Sequence, residues 1–190
     1  MFVLDAKSER IAAFLLAVLM AATRIHHFGV GAIAPDASTG VFFLAGLFLA
    51  NPIWFLVFTI GAILLDATAL GLVGVADACM TVGYWTLFAG YGALWYAGRF
   101  ARQVEQLDAL NVGKLIVLAA TGTVVFFILS NVGYYFGGGF EQSMGAAEYV
   151  SRVSRYLSPY LISTLGYVAA GVIVFVGALR LRSGGKVAAR

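Results

Sequence analysis

Few residues in this chain could do chemistry, and they stand out against an apolar background. Cys79 is the only cysteine among 190 residues, and it lies between two long apolar runs, two residues after Asp77. Asp77 has the position of a helix N-cap, which would place Cys79 in the first helical turn. The unpaired N–H groups and the dipole there favour a thiolate, which binds metals or attacks electrophiles. A buried cysteine is equally often a small packing residue.

Asp66 is the only carboxylate inside an apolar run. An acidic side chain at mid-bilayer costs about 3 kcal/mol, so such residues usually face a cavity or a partner. The sequence therefore predicts that Asp66 accepts a hydrogen bond from a polar ligand or from His27. In the alternative interpretation, the apolar run ends early and Asp66 lies at the membrane interface. Adjacent His26 and His27 point to different helix faces, so we expect only one of them at a site.

Further candidates lie near predicted helix ends. Tyr84 follows Cys79 by about one helical turn, and Gly83 before it would leave room beside the sulfur for a bulky ligand. Asn131 and Tyr134 close the fifth apolar run, before the glycine triplet 137–139. That triplet lacks the Lys-Ser/Thr of a phosphate-binding loop, and the chain has no Walker motif. We therefore expect no ATP site in this chain.

The composition indicates a membrane environment. Apolar residues make up 62% of the chain and charged residues 11%, against about 25% charged in soluble domains. The mean hydropathy is +0.93. The sequence therefore predicts an all-α integral membrane protein in contact with lipid. Its 12 basic residues show no interleaving with aromatic residues, so nucleic acid is not an expected partner.

The apolar runs predict six transmembrane helices in one domain covering residues 1–190. A bilayer core of about 30 Å needs roughly 20 apolar residues per helix. The predicted spans are about 9–28, 39–50, 53–75, 79–99, 114–135 and 158–181.

The basic residues set the orientation of these spans. With both termini cytoplasmic, nine basic residues lie inside and three outside, the three being Arg24, Arg152 and Arg155. If Asn51-Pro52 is a kink rather than a turn, the second and third runs merge and the split becomes eight to four. The positive-inside rule favours six spans. This topology gathers the candidate residues at one external mouth.

Six short spans, an Ala-xxx-Ala ridge beginning at Ala13 and an external ligand mouth resemble the substrate-binding S components of energy-coupling-factor (ECF) vitamin transporters. Within that group, the chain is similar to the BtuM family of bacterial cobalamin transporters. The resemblance covers essentially the whole chain. Its most specific part is the constellation His27, Asp66, Cys79 and Tyr84.

The resemblance implies a multi-pass uptake transporter of the bacterial inner membrane that binds cobalamin or a related corrinoid at its periplasmic mouth. It implies Cys79 as the axial cobalt ligand, with decyanation of cyanocobalamin as an associated activity rather than enzymatic turnover. It places His27, Asp66 and Tyr84 around the corrin. Asn131 and Tyr134, at the same mouth, are further candidate contacts. Such transporters do not require an ECF energising module.

Two other functions fit the same residues. The chain could be an S component for a metal-free vitamin such as riboflavin, thiamine or biotin, with Cys79 only packing. It could also be a membrane thiol enzyme with Cys79 as nucleophile and His27 as base. Against the enzyme, the chain has no second cysteine to resolve a disulfide.

Overall fold

The computed structural model describes residue 2 and residues 4–24, 34–73, 83–104 and 106–188, with the backbone alone at 70–73 and 182–188. Within these ranges the secondary structure is entirely helical, which confirms the all-α prediction. The helices are α1 (Ala6–Arg24), α2 (Ser38–Phe48), α3 (Ile53–Val73), α4 (Tyr84–Ala101), α5 (Ala109–Gly137), α6 (Ala146–Ser154) and α7 (Leu157–Ala188), with one 3₁₀ turn at Phe140–Gln142.

Among the described residues, two helices are long and apolar enough to cross a membrane. They are α5 over Ala109–Gly137 and the Leu157–Leu181 part of α7. They cover the predicted spans 114–135 and 158–181. Helix α2 and the Ile53–Ala69 part of α3 are apolar but shorter.

Helix α2 forms the centre of the molecule. All eleven of its residues are buried, and it contacts α1, α3, α4, α5 and α7. A helix that is apolar on every side, as this one is, belongs in a protein interior. At 1.5 Å per residue it is only about 16 Å long. The turn at Asn51 and Pro52 separates α2 from α3, so the two runs are distinct helices.

Two glycines allow α2 and α4 to pack backbone to backbone. A Cβ atom on Gly46 would collide with the carbonyl oxygen of Trp95, and one on Gly98 would collide with that of Phe43. Any larger residue would therefore push the two helices apart. Small residues have this role in membrane bundles, where close approach maximises van der Waals contact.

Arg99 of α4 and Arg102, the C-cap of α4, contact the carboxyl end of α2. Arg99 donates from Nη1 to the carbonyl of Ala50 at 2.9 Å, and Arg102 donates from Nε to the carbonyl of Leu47 at 3.1 Å. The last four carbonyls of a helix have no partner within the helix, and cations are favourable there. The two guanidinium groups thus stabilise the carboxyl end of α2 and the turn that follows it.

Glu9 of α1 secures the turn between α2 and α3. Its Oε1 atom accepts hydrogen bonds from the backbone N–H of Ala50 at 3.0 Å, from that of Asn51 at 3.2 Å and from Nε1 of Trp54 at 2.9 Å. The start of α1, the end of α2, the start of α3 and the end of α4 therefore meet at one end of the molecule. The opposite end contains the candidate site.

Large apolar side chains cover much of the outer surface. They are exposed on α1, α3, α5 and α7, with examples in Phe14, Leu64, Val117 and Ile173. Contiguous apolar surface of this extent is uncommon on soluble monomers.

Candidate ligand-binding site

A cavity of about 370 Å³ lies at the end of the bundle opposite Glu9. Its walls come from α1, α2, α3, α4, α5 and α7 and from the segment that precedes α2. Because each of these elements supplies only one to four residues, the cavity is a product of the whole fold. It combines charged, hydroxyl, amide and aromatic side chains.

Four of the six predicted site residues line this cavity. Asp66 comes from α3, Tyr84 from the first turn of α4, and Asn131 and Tyr134 from the last turns of α5. The structure therefore brings together residues that are up to 68 positions apart in the sequence.

The other predicted residues fall in segments that the structure does not describe. Cys79 and His27 both lie outside the described residues, as do His26 and Asp77. Helix α4, whose first turn was predicted to contain Cys79, begins at Tyr84 with Gly83 at its N-cap.

Arg24 and Asp66 form a buried bidentate ion pair. Nε of Arg24 donates to Oδ1 of Asp66 and Nη2 donates to Oδ2, both at 2.6 Å. Arg24 is 5% exposed and Asp66 4% exposed. Paired, parallel N–H···O bonds are the strongest arrangement of these two groups and fix their relative orientation.

This pair revises the predicted environment of Asp66. Helix α3 continues for seven residues beyond Asp66, to Val73, so the apolar helix does not end there. The described partners of Asp66 are Arg24 and Tyr84, whereas His27, its predicted partner, lies outside the described residues. The sequence offered one signal for Arg24: among the three basic residues assigned to the outer side, it alone directly ends an apolar run.

Arg24 also links α1 to α2 and α4. Its Nη1 donates to Oγ of Ser38 and to the hydroxyl of Tyr91, both at 2.8 Å, and lies 3.7 Å from Oδ2 of Asp36. One guanidinium thus contacts residues of three other segments besides its own helix and α3. Its planar set of five donors suits this role better than the single ammonium of lysine.

Tyr84 contributes a hydroxyl and a ring. Its hydroxyl donates to Oδ2 of Asp66 at 2.6 Å, and its ring packs edge-on against Phe88. Because the hydroxyl is engaged with Asp66, it positions the carboxylate, while the ring faces the cavity. The space left by the missing side chain of Gly83 is occupied by the backbone of Gly133. That glycine serves the packing of α4 on α5 rather than leaving room for a ligand.

Asn131 is held by its neighbours. Its Nδ2 donates to the carbonyl of Phe127 at 2.8 Å, and the hydroxyl of Tyr149 donates to its backbone carbonyl at 3.2 Å and lies 3.3 Å from its Oδ1. Helix α6 is thereby fixed over the end of α5. Burial raises the pKa of the Tyr149 hydroxyl above its ordinary value. Asn131 keeps one amide N–H for a ligand, and Tyr134 presents a partly exposed ring.

An aromatic series forms the apolar wall. Phe42 stacks on Tyr91 with ring centroids 4.1 Å apart, Tyr91 stacks on Phe126 at 5.1 Å, and Phe126 contacts Tyr160 at 5.9 Å. The series crosses α2, α4, α5 and α7. Its members Tyr91, Phe126 and Tyr160 line the cavity, while Phe42 is buried in the core behind them.

The cavity combines aromatic walls with a few polar groups that are held by their neighbours. The strongest polar groups, Arg24 and Asp66, neutralise each other, and the described residues contain no group of three metal-ligating side chains. Apolar walls with a few fixed polar groups are typical of sites for large organic ligands. No protein-family model matches this chain, and no curated protein matches it either.

Proposed function

We propose that this protein is an uptake transporter for cobalamin in the bacterial inner membrane, with Cys79 as the axial ligand of cobalt. The observation that carries the proposal is the convergence of Asp66, Tyr84, Asn131 and Tyr134 on a single cavity. The sequence predicts these four residues as corrinoid contacts, although they are spread over 68 positions of the chain.

The proposed topology has six spans and cytoplasmic termini. Successive helices alternate in direction, because the end of α1, the first turns of α2 and α4 and the last turn of α5 all meet at the cavity. The outward apolar side chains supply a lipid-facing surface. Arg99 and Arg102 lie at the opposite end, and the positive-inside rule makes that end cytoplasmic. The cavity then opens towards the periplasm.

The walls of the cavity suit a corrin. A corrin is a large plate edged with amides, which calls for aromatic surface and a few polar contacts. The more exposed rings of Tyr84, Tyr134 and Tyr160 provide the aromatic surface, and Asn131 provides one of the polar contacts. Cobalamin is larger than a cavity of about 370 Å³, so we expect the cavity to receive one edge of the plate.

In this proposal Cys79 supplies an axial ligand to cobalt, a position that the corrin ring itself does not fill. The ring holds cobalt through four nitrogens, so a single axial donor from the protein is sufficient. A thiolate is a soft, polarisable ligand that suits cobalt. The thiolate takes the axial position from which the nucleotide base of cobalamin departs. This exchange weakens the bond on the opposite face, and cyanide leaves that face with its electron pair. Cobalamin is the cargo here, and no ATP-binding motif is present in the sequence. Partnership with an ECF module is optional.

The decisive experiment is the visible absorption spectrum of the protein purified in detergent from cells supplied with cobalamin. The wild-type protein should carry a coloured corrinoid, and Cys79→Ala should shift the spectrum by removing the axial sulfur. Met80→Leu is the matched control, because it removes the neighbouring sulfur and should leave the spectrum unchanged. An identical spectrum for Cys79→Ala would exclude the thiol as ligand. Purification with a metal-free vitamin instead would favour the alternative S-component function.

A further inference from the structure

Asp36 is a charged cavity residue that the proposed function has not used. It lies two residues before α2, and its side chain is 25% exposed into a cavity whose other carboxylate is almost fully buried. Its Oδ1 atom accepts hydrogen bonds from the backbone N–H of Ser38 at 2.9 Å and from the Ser38 hydroxyl at 2.6 Å. These two bonds fix the direction of the carboxylate.

The second oxygen of Asp36 has spare accepting capacity. Among the described residues its ion-pair contact is Nη1 of Arg24 at 3.7 Å, which is longer than a hydrogen bond. Nη1 itself already donates to Ser38 and Tyr91. Oδ2 of Asp36 is therefore a fixed acceptor that faces the cavity.

The charges of the cavity are unbalanced. Its described lining contains one guanidinium, that of Arg24, and two carboxylates, those of Asp36 and Asp66. The positive charge of Arg24 is neutralised by its bidentate pair with Asp66. One negative charge is left, and it is carried by the more exposed carboxylate. An unneutralised charge in a partly buried site acts strongly on any charged group of a ligand, because water screens it poorly.

We infer that Asp36 is a specificity-determining residue that selects corrinoids with neutral carboxamide side chains over corrinoids with carboxylates at the same edge. The inference rests on the proposed function. A carboxamide offers an N–H donor to Oδ2 of Asp36, whereas a carboxylate offers no donor and brings a second negative charge. A hydrogen bond to a charged acceptor is among the stronger single contacts in a binding site.

The test compares two ligands on the detergent-purified full chain. The ligands are cobinamide, whose ring edge carries carboxamides, and its monocarboxylic acid derivatives, separated by ion exchange after mild acid hydrolysis. Binding is measured by the change in the visible spectrum on titration. The wild-type protein should bind cobinamide at least about tenfold more tightly than at least one of the acids. Asp36→Asn should reduce that ratio to near one, because an amide at this position neither repels the acid nor requires a donor.

Controls separate the possible failures. Asp108→Asn removes a carboxylate outside the cavity, the N-cap of α5, and should leave the ratio unchanged. A wild-type ratio of one for every acid overturns the inference without any variant, so the test survives poor folding of Asp36→Asn. An undiminished ratio in a folded Asp36→Asn protein overturns it as well. Absence of binding to every corrinoid would instead overturn the proposed function, and the inference with it.

Discussion

The guanidinium of Arg24 and the carboxylate of Asp66 form two parallel hydrogen bonds of 2.6 Å although the two residues are 42 positions apart. The pair joins the end of α1 to the interior of α3. Its bonds to Ser38 and Tyr91 extend the connection to α2 and α4. A buried ion pair contributes little net stability compared with apolar packing, but losing one partner leaves a buried charge. Its main role is therefore to fix the positions of four segments around the cavity.

Replacing Arg24 with methionine should destabilise the protein by about 3–5 kcal/mol, because it leaves the Asp66 carboxylate buried without its cation. The double variant R24M/D66L should recover most of that loss, since no uncompensated charge stays behind. Unfolding in mild detergent, followed by circular dichroism, measures both. The matched control is Arg152→Met, which breaks the exposed pair with Glu148 and should cost no more than about 1 kcal/mol. Equal losses for R24M and R152M would contradict the structural role of the buried pair.

Tyr84→Phe should produce a smaller, separate effect. The substitution removes only the hydroxyl that donates to Asp66 at 2.6 Å and keeps the ring in the cavity. Loss of a hydrogen bond to a charged group costs about 1.5–3 kcal/mol, and partial solvent access places the expected loss at the lower end. Tyr96→Phe is the control, because Tyr96 is 64% exposed. The same detergent unfolding assay applies. If the two variants were equally stable, the hydroxyl would not hold the carboxylate.

Glu9→Ala should loosen the turn between α2 and α3. Oε1 of Glu9 accepts three hydrogen bonds there, and no neighbouring carboxylate replaces it among the residues described around the turn. We expect faster amide hydrogen exchange at Ala50 and Asn51, measured by mass spectrometry, and a loss of about 1–2 kcal/mol. Glu9→Gln should have a weaker effect because it retains an acceptor oxygen. Glu141→Ala, at an exposed carboxylate, should leave exchange at this turn unchanged.

Much of the fold is readable from the sequence. The runs of apolar residues predict the helices because a helix buried in lipid or protein needs apolar side chains on most of its faces. The turn at Asn51 and Pro52 is also foreseeable, since proline cannot continue the hydrogen-bond ladder. The central position of α2 is harder to predict from the sequence. Only the contact through Gly46 and Gly98 explains how a helix of eleven residues becomes the core.

The site is only half predictable for a physical reason. Asp66 can be identified from the sequence, because a carboxylate inside an apolar run is rare and energetically costly unless it has a partner. Arg24 and Asp36 lie at helix ends, where charged residues are ordinary, so composition gives them no prominence. Their importance depends on which helix ends meet in space. The sequence alone would permit one further step, which is to pair Asp66 with Arg24, the basic residue of the outer side that ends an apolar run.

Gly98→Ala should destabilise the protein through the contact between α4 and α2. A Cβ atom at this position would collide with the backbone carbonyl of Phe43, which cannot move aside as a flexible side chain would. Overpacking of this kind typically costs about 1–3 kcal/mol. Gly166→Ala is the matched control: it lies in α7 with nothing within 4 Å of an added Cβ, and alanine there should be neutral or stabilising. Thermal unfolding of the two variants in the same detergent measures the difference. Equal stability would mean that the two helices do not touch through their backbones, and α2 would lose its place at the centre of the bundle.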